Sequence, residues 1–203
     1  MPQFSSDWFT NALVNFDYIK TYLIKEEKAI NDILEIGSHE GRSSCWMLEN
    51  MLTDTGTMTC IDPFADRPVT AFSYDSIPED RSIENLFRAN TAEVKKPGQT
   101  LEVVANMSFH ALAQLIVDKR QYDFIYVDGS HNADDALADA VMCFGLLRPG
   151  GVMLFDDYLW EDGVSAYLGR PKQSIDAFVN MFYHRLKLGL VNYQLAIVKK
   201  ELE

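Results

Sequence analysis

The sequence predicts an α/β fold in which a doubly wound, mostly parallel sheet of seven strands carries helices on both faces. Short apolar runs alternate with amphipathic stretches along most of the chain, which is typical of strands joined by crossover helices. A glycine or an acidic residue directly follows several of these runs. The last two runs, 186–191 and 193–198, leave no room for a helix between them, so we expect an antiparallel pair of strands at the end of the chain.

Composition indicates one globular domain. The chain has 203 residues, of which 47% are hydrophobic, and we expect a single domain over 1–203. The net charge of −12 would repel the phosphates of nucleic acid, so a nucleic-acid partner is not expected.

The expected location is cytoplasmic. No apolar run approaches the roughly 20 residues that a membrane span needs, and the first residues lack the pattern of a secretory signal. The three cysteines lie in apolar contexts without metal-type spacing, as reduced core residues do. We therefore expect no membrane partner.

Residues 1–30 are expected to form N-terminal helices, because their apolar side chains recur at helical spacing. Such a stripe usually packs on a core, and a lid or a dimer contact are the alternatives. The apolar surface around Trp8, Phe16 and Tyr18 is more than one small sheet is expected to cover. A homodimer is therefore a further expectation.

The first predicted strand, 33–36, runs into a turn that contains Gly37 and Gly41, and a helix-compatible run begins at Ser43. Glycine lets the backbone come close to a ligand, and the free N–H groups of a helix start hold polar or anionic groups. The dinucleotide pattern G-x-G-x-x-G and the phosphate pattern G-x-x-x-x-G-K-[ST] are both absent. The turn indicates a site for a nucleotide-like ligand; an ordinary strand–loop–helix with incidental glycines is the alternative.

The second predicted strand, 57–61, is followed by Asp62 and Pro63. A carboxylate at this place can accept hydrogen bonds from both hydroxyls of a ribose. The alternative is a turn cap before the proline. Given the glycines upstream, the ribose interpretation is favoured.

Later elements continue the alternation of strands and helices. The predicted strands are 101–105, 122–127 and 152–155, and the predicted helices are 83–94, 109–119, 133–147 and 173–184, with Arg148-Pro149-Gly150-Gly151 as a glycine stop after the third of these helices. The irregular segments 64–98 and 159–172 are expected to form part of a substrate wall, since long connections inside compact domains often bind ligands.

Acidic residues follow two strands that are expected to be neighbours. Asp128 ends the fourth strand, and Asp156 and Asp157 end the fifth. If these strands are adjacent, the three carboxylates meet at one edge, where they repel one another unless a cation lies between them. Mg²⁺ or another hard divalent cation suits such oxygen ligands. The alternative is that one or two of these acids cap helices.

His131 stands three residues after Asp128. A neutral imidazole at this edge could take a proton at physiological pH. The alternative is a solvent-facing residue at the start of a helix.

Two groups of motifs carry a family resemblance. The pattern Glu35-x-Gly37-x-x-x-Gly41 resembles the first motif of the class I S-adenosylmethionine (SAM)-dependent methyltransferases. The runs 128–131, 148–151 and 156–157 resemble the metal-dependent O-methyltransferase branch of that family. This branch includes catechol and caffeoyl-CoA O-methyltransferases and bacterial enzymes that act on macrolide sugars and antibiotic precursors. The resemblance covers about 33–198 and implies a Rossmann-like fold.

The resemblance also implies roles for individual residues. His131 is implied as the general base, and Asp128 is the second residue implied to be catalytic. The metal ligands would be Asp128, Asp156 and Asp157. The residues implied to contact SAM are Glu35, Gly37, Ser38, Gly41, Ser43, Asp62, Asn106, Met107, Ser108 and Asp128.

Two departures from the family pattern concern the acceptor. Asp157 stands where the catechol and caffeoyl-CoA enzymes carry Asn, and no Lys lies near Asp128 to act as the base of the catechol enzyme. Both departures favour acceptors other than catechols. The expected function is therefore metal-assisted methyl transfer from SAM to a hydroxyl of a small molecule. The alternatives are a metal-independent methyltransferase and a SAM-binding protein without transferase activity.

Overall fold

The computed structural model describes residues 1–65, 81–161 and 170–201. Within these ranges, seven strands form one sheet. They are β1 (Asp32–Ile36), β2 (Thr57–Asp62), β3 (Thr100–Ala105), β4 (Tyr122–Val127), β5 (Leu147–Phe155), β6 (Leu186–Val191) and β7 (Leu195–Lys199).

The strand order is β3-β2-β1-β4-β5-β7-β6, with every pair from β3 to β5 parallel and β7 antiparallel to both of its neighbours. The predicted fold class is confirmed, including the antiparallel pair at the end of the chain. Strand order reverses between β1 and β4, where ligands bind in open α/β sheets. The register pairs Ile36 with both Ile61 and Val127, so the residues that follow these strands lie at one edge.

The described ranges contain six α-helices, of which the first precedes the sheet and the other five connect successive strands. The six are α1 (Leu13–Lys25), α2 (Arg42–Asn50), α3 (Ser82–Val94), α4 (Ser108–Val117), α5 (Ala133–Leu146) and α6 (Pro171–Phe182). None of them is long and apolar enough to cross a membrane.

Two sequence predictions need correction. Residues 1–9 contain no helix; a short 3₁₀ turn over Thr10–Ala12 precedes α1. Asp7 accepts hydrogen bonds from the backbone and the side chain of Thr10, a local cap that begins the helical region there rather than earlier. The fifth strand begins at Leu147 rather than at Val152, because Leu147 already pairs with Tyr122 before a local irregularity at the glycines.

The sheet is buried between two apolar clusters. On one face α1 contributes Phe16, whose ring lies edge-on against Tyr126 at 4.9 Å, and α2 and α3 complete this layer. On the other face α4, α5 and α6 pack around Phe144 and Phe178. The three cysteines are buried and unpaired.

The predicted apolar stripe of the N-terminal helix divides into buried and exposed parts. Phe16, Ile19 and Leu23 are buried, whereas Trp8 and Tyr18 are 77% and 55% exposed. The homodimer that this exposure suggests stays a prediction. Of the predicted substrate-wall segments 64–98 and 159–172, residues 66–80 and 162–169 lie outside the described residues.

Candidate active site

The turn after β1 can be built only with glycine at its first position. Gly37 has φ +83°, and a Cβ on it would come within 1.8 Å of the carbonyl oxygen of Asp128. Gly41 has φ +84° and stands directly before α2. The cofactor turn, defined here as residues 37–41, therefore lies in direct contact with the loop that follows β4.

Glu35 stabilises this turn through hydrogen bonds with three serines. Its carboxylate is fully buried and accepts hydrogen bonds from Ser38 at 2.8 Å and from Ser43 and Ser44. Burial raises the pKa of Glu35, and the serine hydrogen bonds oppose that shift. Glu35 does not line the cleft described next, so its place in the structure is that of a support for the turn.

A cleft of about 1050 Å³ opens at the carboxyl ends of the parallel strands. This is the edge of the sheet at which the sequence predicted a ligand site, and it includes the reversal of strand order between β1 and β4. The predicted site residues that line the cleft are Gly37, Asp62, Met107, Ser108, Asp128, His131, Asp156 and Asp157. Ser38 and Ser43 instead line a smaller cavity beside it, and Gly41 and Asn106 line neither of these two cavities.

Asp62 is fixed by the backbone around it. Its Oδ2 accepts a hydrogen bond from the amide of His39 at 2.8 Å, and its Oδ1 accepts one from the amide of Phe64 at 2.5 Å. Burial raises its pKa, and these two amides oppose the shift. Each oxygen can accept a further hydrogen bond, and Asp62 lines the cleft.

Three side chains meet at the opposite side of the cleft. Asp128, His131 and Asp157 each offer a ligand atom within 4.8 Å of the others. His131 Nε2 lies 2.8 Å from Asp157 Oδ2, and the ring of Trp160 is centred 4.4 Å from that of His131. Tyr193 donates its hydroxyl to the other oxygen of Asp157 at 2.9 Å.

Asp156 is near this group but has other partners. Its two oxygens accept hydrogen bonds from Tyr126 at 2.6 Å and from Gln194 at 2.7 Å, and the same Tyr126 hydroxyl lies 3.1 Å from Asp128 Oδ2. The metal role assigned to Asp156 from the sequence stays a prediction. Sequence reasoning missed Tyr126 and Gln194; the signal for Tyr126 was a hydroxyl inside an apolar strand, which needs a buried partner.

The electrostatics of this acidic rim, meaning Asp128, Asp156 and Asp157, are unfavourable without a cation. Burial and the charges of Asp156 and Asp157 raise the pKa of Asp128 well above its ordinary value. Burial likewise raises the pKa of Asp156. Among the described residues that line the cleft there is no Lys or Arg to neutralise these charges.

Asp139, a buried acid on α5, lies behind Gly129. A Cβ on Gly129 would come within 3.4 Å of its Oδ2, and no donor among the described residues reaches its Oδ1. Burial raises the pKa of Asp139 to about 7. In the unfolded chain the carboxyl of Asp139 ionises near pH 4, whereas in the folded protein it stays protonated up to about pH 7. Folding therefore becomes less favourable as the pH rises from about 4 to 7.

We therefore expect Asp139→Asn to be more stable than the unsubstituted protein at pH 8, with an advantage that shrinks toward pH 4. Asparagine imitates the neutral acid and does not titrate. Thermal unfolding between pH 4 and 8 measures this, with the exposed Asp134→Asn on the same helix as control. A stability difference that stays constant over this pH range would contradict the shifted pKa.

Comparisons with known proteins identify the family and the fold of the chain. The family model for a methyltransferase domain matches residues 34–158, which is more than half of the chain. A search of curated proteins found no match.

Solved structures share the fold. An O-methyltransferase from Bacillus cereus, solved with S-adenosylhomocysteine (SAH), has 19% identity and a TM-score of 0.64, over 92% of this chain and 81% of that one. The O-methyltransferase TomG from Streptomyces achromogenes, involved in tomaymycin synthesis and solved with SAM, has 18% identity and a TM-score of 0.61, over 97% and 92%. An SAH-bound methyltransferase from Podospora anserina has 16% identity and a TM-score of 0.64, over 93% and 79%.

The matched residues run from β1 through the cofactor turn and the ends of β2, β4 and β5, so they include the elements that build the cleft. The resemblance to the class I methyltransferases is confirmed at this level. The chain belongs to the methyltransferase-domain family and is a SAM-dependent methyltransferase.

Proposed function

We propose that the protein transfers the methyl group of SAM to a hydroxyl of a small molecule, with a divalent cation held at the acidic rim. One observation carries the proposal. Asp128, Asp157 and His131 meet within 4.8 Å beside the cofactor turn, in a cleft whose described lining has no Lys or Arg. Such a group suits a cation and a proton acceptor next to a transferred methyl group.

The strand order supports one orientation of SAM in the cleft. Gly37, at the end of β1, would lie near the sulfonium, and Asp62, at the end of β2, would accept hydrogen bonds from the ribose. The base would then point toward β3, where Met107 and Ser108 line the cleft. The structural neighbours solved with SAM or SAH support this assignment of the ligand.

The rim residues fit a hard divalent cation by their chemistry. Asp128 and Asp157 supply carboxylate oxygens, and their mutual repulsion would be relieved by a positive charge between them. Asp156 accepts one hydrogen bond on each oxygen, and a carboxylate oxygen keeps a further lone pair, so it remains a candidate ligand. A bound cation would stabilise the negative charge that develops on the acceptor oxygen.

In this proposal His131 takes the proton of the acceptor. Asp157 contacts Nε2, which fixes the ring, and Trp160 covers one side of it. The imidazole lies beside the two carboxylates, so proton removal and metal binding would occur at adjacent atoms. His131 could alternatively be a metal ligand, and the measured effect of its replacement on metal affinity separates the two roles.

The charge of the cleft favours a neutral or cationic acceptor over an anionic one. The described lining carries Asp7, Asp62 and the acidic rim. The segments 66–80 and 162–169 contain one basic residue, Arg67, so these two segments add little positive charge that could hold an acidic acceptor. Trp8, Trp160 and Tyr193 line the cleft and supply flat apolar surface for a ring.

The metal site is tested by Mn²⁺ binding, measured by electron paramagnetic resonance on protein dialysed against EDTA. We expect one bound Mn²⁺ per chain, with affinity reduced by at least about 10-fold in Asp157→Asn, since an uncharged amide is a poorer ligand for a hard cation. The exposed Asp118→Asn is the matched control. Absence of bound Mn²⁺ in the unsubstituted protein would favour the metal-independent methyltransferase.

A further inference from the structure

The N-terminal segment, residues 1–9, lies across the cofactor turn and is attached to it by polar contacts. The amide of Ser5 donates to the Glu40 carboxylate at 2.7 Å. Arg42, which follows the turn, donates to the carbonyl of Ser6 at 3.2 Å and pairs with Asp7 at 3.0 Å. The segment is therefore held by residues in or next to the turn that is proposed to bind SAM.

Asn90 on α3 forms hydrogen bonds with both the segment and the turn. Its side chain is 3% exposed and pairs with Gln3 in both directions, accepting from the amide and donating to the carbonyl at 2.8 Å each. It also donates to the carbonyl of Glu40 at 2.9 Å. One buried amide thus fixes the segment and the turn relative to each other.

A small cavity of about 60 Å³ lies between the segment and the turn. Phe4, Ser6 and Trp8 form one side of it, and Gly37 and Ser38 are on the other. Its remaining lining includes Tyr126 and Asp128 of the β4 side and no residue of β2 or β3. It therefore lies on the side of the turn away from Asp62 and Ser108.

The position of the small cavity matches that expected for the amino-acid end of SAM. If the ribose lies at Asp62 and the base toward β3, the amino-acid end of SAM must point the other way, toward the small cavity. Arg42 lines that cavity and can attract a carboxylate, and Glu40 and Asp128 line it and can attract an ammonium group. The cavity thus offers both charges of a zwitterion.

Trp8 of the segment also lines the main cleft. Its side chain is 77% exposed although it lines both cavities, and its ring is centred 5.6 Å from that of His39. The amide of His39 is in turn bonded to Asp62. The segment therefore contacts the turn at His39, the residue whose amide also orients Asp62, the proposed acceptor of the ribose hydroxyls.

We propose that the N-terminal segment covers the amino-acid end of the cofactor and that Asn90 is the residue that positions it. The inference rests on the proposed binding of SAM at the turn. Cofactor binding and docking of the segment are then coupled, so each strengthens the other by the same factor.

The test compares two ligands in one variant. SAH carries the amino-acid end, and methylthioadenosine lacks it. In Asn90→Ala, calorimetry should show SAH affinity reduced about 10-fold, within the usual range of such coupling, and methylthioadenosine affinity reduced far less. Asn50 is an exposed asparagine whose side chain donates to the carbonyl of Trp46 in its own helix, and Asn50→Ala should bind both ligands like the unsubstituted protein.

A second measurement follows the segment itself. Chymotrypsin cleaves after Phe4, Trp8 and Phe9, and SAH should slow this cleavage in the unsubstituted protein. Asn90→Ala, which removes both hydrogen bonds to Gln3 without removing a group that lines the cavity, should raise cleavage and lower SAH affinity together. Thermal unfolding shows that each variant is folded.

Two results would overturn the inference. Equal losses of SAH and methylthioadenosine affinity in Asn90→Ala would show a general loosening of the turn. Unchanged SAH affinity together with faster cleavage would show that the segment is no part of the site. Failure of the unsubstituted protein to bind SAH at all is a different outcome, which removes the proposed SAM site and this inference with it.

Discussion

Replacing Asp62 by alanine should weaken SAH binding by on the order of 10²-fold. A carboxylate that accepts hydrogen bonds from two ribose hydroxyls contributes roughly 1.5–3 kcal/mol for each, because charged acceptors make the stronger hydrogen bonds. The structure presents this carboxylate in a fixed orientation, with the amides of His39 and Phe64 on its two oxygens. Calorimetry with SAH measures the change.

Two controls separate ribose binding from damage to the turn. Asp62→Asn keeps one acceptor oxygen for the neighbouring amides and should show an intermediate loss. Asp54→Ala removes an exposed acid from a surface ion pair with Lys96 and should leave SAH affinity unchanged. SAH affinity in Asp62→Ala equal to that of the unsubstituted protein would remove Asp62 from the cofactor site.

Replacing His131 by alanine should lower methyl transfer by roughly 10²–10⁴-fold, the usual contribution of a positioned general base. The loss should shrink at high pH, where a hydroxyl acceptor ionises without help. Turnover with an acceptor found by screening hydroxyl compounds on SAM measures this. The exposed His110→Ala is the matched control.

Metal affinity decides how such a loss is interpreted. If His131 is the base, Mn²⁺ affinity in His131→Ala stays close to that of the unsubstituted protein. A large loss of Mn²⁺ affinity would make His131 a ligand alongside Asp128 and Asp157. Full turnover in His131→Ala would leave it as a residue at the start of a helix, the alternative considered from the sequence.

The parts of the site that follow from strand geometry could be predicted from the sequence. In a parallel sheet the carboxyl ends of neighbouring strands share an edge, so Gly37, Asp62, Asp128 and Asp157 meet once the strands are recognised. The sequence predicted that glycine at position 37 lets the backbone come close to a ligand. It did not predict the contact of Gly37 with the carbonyl of Asp128, which is 91 positions further along the chain.

The parts that depend on long-range side-chain contacts could not be predicted. Asn15 on α1 donates to Gln194 at 2.7 Å, and Gln194 donates to Asp156, so the first helix and the last hairpin together fix the acidic rim. No periodicity in the sequence relates Asn15 to Gln194. The same holds for Asn90, whose three hydrogen bonds join segments far apart in the chain.

The central claim is most directly tested by methyl transfer from SAM to a panel of neutral and cationic hydroxyl compounds, measured as SAH formed with EDTA and then after addition of Mg²⁺. The proposed function predicts SAH formation that stops in EDTA and returns with Mg²⁺, because the acidic rim needs a cation to hold and activate the acceptor. The same rate of transfer in EDTA and in Mg²⁺ would contradict it.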